Sequence, residues 1–551
     1  MLDSLAMAAP RLHLFYHTYF KTLLILLFLG LILFAWTNRF IQDDAFISFK
    51  YAQNLARGAG LVWNEGERVE GYTNFLWVLL MSVPIRLGRD PVAFSFLVGI
   101  ILYTLSLIFT YRLALHFLKS QTAALLTVLL LGTNYTFSSY ATGGLETQLQ
   151  CCLLLASLHH LTRLTEQDKP YLSRWLLLST LLGLSILTRP DSLLPASVIF
   201  AIALLLSLKR GVGQRQRLLS ALCLIAPITI LVGGWLIWKV QYYGEILPNS
   251  YHVKVGSRTS ATRGLSYVYA FFRSYWLIPH ALLLVFFFRK LFNKSNLPLL
   301  IPTCITLLWL LYTIKVGGDF MEFRFLVPVL PLIFILFGWV IFVELRNFYV
   351  QIVLVALVVA GSWHHARTFV LQEGIDDIRV LNDWVKNRDY GWERIGEVLG
   401  EAFKQDNRVR IGVNAAGVIP YRSGLTTVDM LGLNDKWVAR NGIIDTDRPG
   451  HQRHATYNYL VERGVNLVIG HPQLEPMDKP FNEMLNTDNV LARFSLSLPH
   501  EYKDPVELKV IEIPISAKYK LLALYLVKSP LVDEAIKHNN WKVGSVTVRA
   551  G

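Results

Sequence analysis

Apolar residues fall in long unbroken blocks up to about residue 365 and then give way to short alternating runs. Blocks such as Leu23 to Phe34, Leu97 to Thr110 and Leu222 to Trp238 have the purity of membrane helices, and with their flanks they reach the length of one. The pattern predicts spanning segments at roughly 18–37, 91–111, 121–138, 145–162, 173–188, 192–208, 218–240, 265–288, 297–315, 325–345 and 348–364, about eleven in all. Residues 11–21 are basic enough for a signal peptide. The run after them ends in Trp36, Asn38 and Arg39 and not in a small-residue cleavage site, so it reads as the first span.

The stretch 75–87 is apolar but short, and Pro84 and Arg86 interrupt it. Basic clusters occur at Arg11 to Lys21, Arg112 with Lys119, Arg163 with Lys169 and Arg174, Lys209 to Arg217, Arg289 to Lys294, and Arg346. All fall on one side of the bilayer if 75–87 lies in the interface without crossing, which is the arrangement that Lys/Arg bias selects. The expected protein is therefore multi-pass in the inner (plasma) membrane, with a cytoplasmic N-terminus. Its extracytoplasmic loops are 39–90, 139–144, 189–191, 241–264 and 316–324, with everything after about 365 on that side as well.

Beyond residue 365 helical periodicity with mixed charge marks Asp376 to Gln405. Short β-type runs follow at Val409–Val413, Leu425–Asp429, Asn466–Ile469, Leu508–Ile513 and Leu521–Leu526. The expected architecture is a polytopic α-helical membrane core, residues 1–365, followed by an extracytoplasmic α/β domain, residues 366–551. Gly412 to Gly417 after a strand has some of the character of a phosphate-binding turn. It lacks the full glycine fingerprint, and a plain strand-to-helix turn accounts for it more simply.

Composition refines this picture. Charged residues make up 17% of the chain, below the quarter or so usual in soluble proteins, and mean hydropathy is +0.40. The net charge of +14 would suggest nucleic acid in a soluble protein; here it is the basic residue retained at cytoplasmic helix ends, and no nucleic-acid partner is expected. Cys151, Cys152, Cys223 and Cys304 sit in apolar runs without zinc-type spacing and read as packing residues.

Ionisable residues at a membrane face are costly and call for a function. The predicted outer loops hold Asp43, Asp44, Glu70, Glu146, Arg189, Asp191, Lys254, Asp319 and Arg324, whereas the inner loops hold ordinary Lys and Arg. Two adjacent carboxylates can keep one pKa high enough to accept a proton, or together hold a divalent cation. Equally, Asp43 or Asp44 can cap the helix that runs on through Lys50 and Arg57.

The stretch from Asp43-Asp44 through Lys50, Asn54, Arg57, Trp63-Asn64 and Glu70 to Phe75 resembles the first outer loop of the GT-C glycosyltransferases, in particular the group containing the mycobacterial terminal β-(1→2) arabinofuranosyltransferase. Membrane proteins linked to flagellar-motor control carry a similar loop. The resemblance continues through Gly144-Leu145-Glu146-Thr147, Arg189-Pro190-Asp191, Tyr242 to Lys254, Gly317-Gly318-Asp319 to Arg324, Asn414 to Gly417, Pro420-Tyr421, Asp429 to Asp435 and Gly450-His451, in order.

The resemblance implies an inverting transfer of a sugar, arabinofuranose or another, from a polyprenyl-phosphate donor to an envelope glycan or glycolipid. Asp44 or Asp43 would be the catalytic base. Lys254, Arg324, Arg189 and His252 are the cations available to the departing phosphate. An Asp319–Arg324 pair, an Arg189–Asp191 pair and a snorkelling Lys254 are the structural alternatives. Glu70 and Glu146 would meet sugar hydroxyls or cap helices. Asp319, Tyr251 and His451 complete the expected substrate-binding set. Trp63, Tyr72, Trp77, Tyr140, Tyr242, Tyr243 and Tyr251 would stack on sugars or form an interfacial belt. No cofactor is required, since a lipid-linked sugar is already activated; the metal requirement stays open. A non-catalytic assembly or motor-control factor on the same scaffold is the alternative reading, and a transporter a further one, although transporter charges more often lie at mid-membrane.

Overall fold

The structure, a computed structural model, describes residues 10–166, 171–208, 213–254, 261–370, 374–444, 450–487, 489–496, 498 and 504–548, the side chains of 10–18 and 254 excepted. Six of the described helices are long and apolar enough to cross a membrane: Pro91–Leu118, Pro190–Ser207, Gln214–Tyr243, Leu297–Lys315, Arg324–Glu344 and Phe348–Thr368. Ala261–Ser274 and Ile278–Phe292 make a further span if taken together, bent by 104°. Trp276, at the break, has φ of 56°. Each of the eleven expected segments coincides with a helix or a run of two or three consecutive helical elements, and the chain is a multi-pass membrane protein.

The chain forms two compact units. The first comprises Met1–Phe40, Ala93–Trp238 and Ser260–Asp377, and the second Ile41–Val92, Lys239–Thr259 and Ile378–Gly551. In the first unit the Arg324–Glu344 span is the most enclosed, with 89% of its apolar window buried. The Thr147–Thr165 helix, where a span was expected, is nearly all buried despite its polar residues. Several of them find partners: Gln148 Nε2 donates to the Phe137 carbonyl at 3.0 Å, Gln150 Nε2 to Ser192 Oγ at 3.0 Å and Ser157 Oγ to the Leu153 carbonyl of its own helix at 2.7 Å. Such pairing lowers the cost of burying polar groups in an apolar setting.

The second unit gathers three stretches of sequence. The Phe75–Arg86 helix has 12 residues, about 18 Å at 1.5 Å per residue, and by itself is too short for a hydrocarbon core of roughly 30 Å. The C-terminal part is a mixed seven-stranded sheet. β1 (Arg410–Val413) lies between parallel neighbours β2 (Thr426–Asp429) and β5 (Leu467–Gly470). β8 (Tyr519–Tyr525) pairs antiparallel with β5, with β6 (Leu474–Pro476) and with β7 (Val506–Pro514), and β9 (Lys542–Val548) closes the edge on β7. β3 (Ile443–Ile444) and β4 (Arg453–His454) form a separate ribbon. The five strands expected from sequence are β1, β2, β5, β7 and β8; the expected helix over 376–405 is two, Ile378–Lys386 and Trp392–Ala402.

Candidate functional site

In the second unit the acidic pair opens the Asp43–Ala56 helix, which Gln42 caps from outside. The two carboxylates are placed differently. Asp43 is buried and accepts N–H bonds from Gly417 (3.1 Å) and Val418 (2.8 Å). These are the first donors of the Val418–Ser423 helix, which has no capping side chain of its own. Burial pushes the Asp43 carboxyl up to about 7, against the pull of the Val418 N–H and with added repulsion from Asp44. Asp44 is half-buried one residue further on. The turn at Gly412 to Gly417 is thus a strand-to-helix turn whose anion is a carboxylate of the same chain.

Lys50 holds the other end of that short helix. Its Nζ donates to the carbonyls of Pro420 (3.0 Å) and Leu425 (3.5 Å) and lies 5.3 Å from the centre of the Trp63 ring. Asp43 and Lys50 are seven residues apart, about 10.5 Å along their helix, and the six-residue Val418–Ser423 helix is about 9 Å long. An anion therefore meets its N-terminus and a cation its C-terminus, each favourable toward the helix dipole. Phe46 and Phe49 pack on Tyr421 between them. Burial, with a smaller contribution from Arg57, lowers the Lys50 ammonium to about 7. A Cβ at Gly417 would stand 1.9 Å from the Asp43 carbonyl oxygen, so only glycine permits this approach.

Glu70 ion-pairs with Lys239 at 2.7 Å, both nearly inaccessible. The expectation for Glu70 was a sugar hydroxyl or a helix cap; the carboxylate instead joins the first loop to the end of the Gln214–Tyr243 helix. Asn249 extends this junction, donating from Nδ2 to the carbonyls of Gly432, Leu433 and Asp435. Asp429 accepts from the backbone N–H groups of Leu431, Gly432 and Asn434, so the Asp429 to Asp435 motif is a turn that organises itself. Asp435 caps the Lys436–Asn441 helix and accepts from the Tyr459 hydroxyl. Glu245 binds Lys436 and Arg440, both at 2.5 Å, and faces His252 at 3.5 Å. Tyr251 is exposed beside His252. His451 is half-buried in the loop after Gly450. The Lys254 side chain lies outside the described residues.

The first unit holds the remaining expected residues. Arg189 bonds Glu146 at 2.8 Å and Asp191 at 2.7 Å, and Gln150 donates to Asp191 at 2.7 Å. Arg324 bonds Asp319 at 2.7 Å, and the Asp319 carboxylate also accepts the Phe320 N–H at 2.9 Å. Both guanidinium groups lie against one ring: Phe325 is centred 5.6 Å from Arg189 and 5.5 Å from Arg324. The Arg189–Asp191 and Asp319–Arg324 pairs are those weighed from sequence as structural alternatives. Glu146 occupies the N-cap position of its helix without a capping bond; its carboxylate serves Arg189 instead.

Of the outer aromatic residues, Trp63, Tyr72, Trp77, Tyr140 and Tyr243 are buried, so they are packing residues and not stacking platforms or a belt. Sequence reasoning also missed the buried Glu322–His365 pair at 2.8 Å. Nothing near either residue in sequence points to the other. Among the described residues no group of three or more His, Cys, Asp or Glu is arranged to hold a metal ion.

Residues 75–238 match the family described as dolichyl-phosphate-mannose-protein mannosyltransferase. Residues 378–529 match a domain of unknown function, DUF8728. The chain is 27% identical over 335 residues to the terminal β-(1→2)-arabinofuranosyltransferase of Mycobacterium tuberculosis, covering 53% of this chain and 51% of that protein. It is also 27% identical over 362 residues to the protein of the same name from Corynebacterium glutamicum, covering 58% and 51%. The chain spans about half the length of these curated relatives. Its fold is similar to that of ArnT from Cupriavidus metallidurans crystallised with undecaprenyl phosphate, with a TM-score of 0.58 at 13% identity over 92% of this chain and 98% of that one.

Proposed function

We propose that this chain, whose fold is that of the GT-C membrane glycosyltransferases, is an inverting glycosyltransferase. It moves a sugar from a polyprenyl-phosphate donor to an envelope glycan or glycolipid at the outer face of the inner membrane. The names of its relatives favour arabinofuranose as the sugar, and the undecaprenyl phosphate bound by ArnT favours a polyprenyl carrier. The observation that carries the mechanism is the division of labour in the acidic pair. Asp43 spends its oxygens on two backbone N–H groups, so the base is Asp44, half-buried at the start of the same helix.

The acceptor hydroxyl oxygen attacks the anomeric carbon from the face opposite the phosphate, and Asp44 takes its proton. A glycosidic C–O bond forms, the bond from anomeric carbon to phosphate oxygen breaks, and polyprenyl phosphate leaves with the electron pair. Fixed positive charge stabilises that departure. Arg189 already faces two carboxylates and serves geometry. His252 and Lys254 are proposed for the phosphate and Tyr251 and His451 for the substrate; Arg324, held by Asp319, serves loop geometry in the first unit as Arg189 and Glu146 do. No cofactor is invoked.

The test is release of polyprenyl phosphate from a panel of polyprenyl-phosphate sugars. Asp44→Asn is expected to lose about 10²–10⁴-fold in turnover, the range of a general base, with Asp43→Asn less affected. Wild-type turnover in Asp44→Asn removes the base assignment. Absence of turnover with every donor favours the assembly-factor reading.

A further inference from the structure

Three aromatic side chains of the second unit play no part in the mechanism above. Trp384, in the Ile378–Lys386 helix, stacks on Trp392 with ring centres 5.5 Å apart and planes 18° from parallel. His471 meets both edge-on, at 5.8 and 5.5 Å. Trp392 is buried, while Trp384 and His471 are half-buried.

Their position in the topology is informative. From β1 the chain passes to β2 on one side and then returns to β5 on the other. Open α/β sheets bind ligands outside the carboxyl ends of their strands where the order reverses in this way. β1 ends at Val413 and β5 at Gly470. The first residues beyond are Asn414 and His471, and the Asn414 N–H donates to the Gly470 carbonyl at 2.8 Å. Asn414 Nδ2 donates to Ser495 Oγ at 2.9 Å, but the buried Oδ1 meets no donor among the described residues. A buried acceptor left in this state is unfavourable, and an incoming donor relieves it. The neighbouring turn N–H groups of Gly417 and Val418, which would suit an anion, are taken by Asp43.

We propose that this switch point binds a neutral sugar ring of the acceptor glycan. Trp384 supplies the apolar stacking surface, Asn414 Oδ1 accepts from a sugar hydroxyl, and His471 flanks the ring. A sugar offers both halves of that match, a C–H face and hydroxyl donors, whereas a phosphate offers no apolar face to the Trp384 ring. The role of that glycan as acceptor rests on the transferase reading; the binding itself does not.

The experiment measures binding of short linear arabino- and manno-oligosaccharides to the full chain in detergent by saturation-transfer NMR, with no donor present. Trp384→Ala is expected to weaken binding about three- to tenfold, the equivalent of one aromatic stack. Asn414→Leu should weaken it too, and Trp384→Phe should retain most of it. In turnover assays Trp384→Ala should raise KM for the glycan and leave KM for the donor in place. Wild-type glycan affinity in folded Trp384→Ala and Asn414→Leu, or no binding of either oligosaccharide to wild type, overturns the subsite. Glycan binding that responds to these substitutions in a protein without transferase turnover upholds the subsite and removes the transferase reading.

Discussion

A carboxylate that accepts two backbone N–H groups inside a protein gives up lone pairs that would otherwise serve a substrate or a metal. Asp43 is such a carboxylate, and its burial gives a measurable signature. Its pKa of about 7 in the fold lies above the ordinary 3.8. The folded state therefore keeps a proton that the unfolded chain releases, and the associated stability is full below pH 4 and lost as pH rises through 7. The loss is at most about 4 kcal/mol, at 1.36 kcal/mol per pKa unit. Asp43→Asn cannot ionise, so its melting temperature should fall less steeply between pH 4 and 8 than that of wild type; identical slopes count against the buried-acid assignment. The pair itself was legible in the sequence as two acids after a membrane helix. Which acid is structural was not, because the deciding donors lie 374 and 375 positions away. The same distance hid Lys50, which looks like an ordinary helix-surface lysine until Pro420 and Leu425 are placed beside it.

Elements announce themselves through their own residues. The long apolar runs are helices because each buries or exposes apolar surface around its whole circumference. The run at 265–288 breaks at Trp276, which is in a left-handed conformation; the mark in the sequence is Pro279, in the first turn of the helix that follows, which the unbroken apolar character of the run concealed. β9 escaped notice since it is an edge strand with most side chains at least partly exposed, leaving no apolar run to detect. The contact between the Asp43–Ala56 helix and the Val418–Ser423 helix depends on the missing side chain of Gly417. Gly417→Ala places a methyl 1.9 Å from the Asp43 carbonyl oxygen and forces the backbones apart, an overpacking cost of about 1–3 kcal/mol. Thermal unfolding should show that loss, and protease sites in residues 41–92 should become more accessible. Unaltered stability and protection would mean that the two helices are not held as described.

At the scale of the whole molecule, the second unit is not one stretch of chain. Composition marks a change of solvent near residue 365, yet the compact unit also draws in Ile41–Val92 and Lys239–Thr259. A fragment comprising 378–551 alone would leave the Gly417 and Val418 N–H groups without Asp43 and the Gly432 and Asp435 carbonyls without Asn249. It should be less stable than the same residues in the full chain, and a separate peptide of residues 41–92 should raise its melting temperature. A fragment that is fully stable and indifferent to the peptide would show that the sheet domain folds independently. Local sequence could not disclose this arrangement, since no single segment carries the sign of its distant partner.

The span between Asp43 and its donors also sets a timetable for biosynthesis. At 5–20 residues per second, the ribosome takes roughly 20 to 75 s to deliver Gly417 after Asp43 has emerged. For that interval the nascent acid loop has neither its backbone donors nor the carbonyls that receive Lys50, so its charged side chains stay hydrated. The Asp43–Ala56 helix settles only when residues 417–425 arrive, and a product terminated before them leaves Asp43 and Lys50 without these partners.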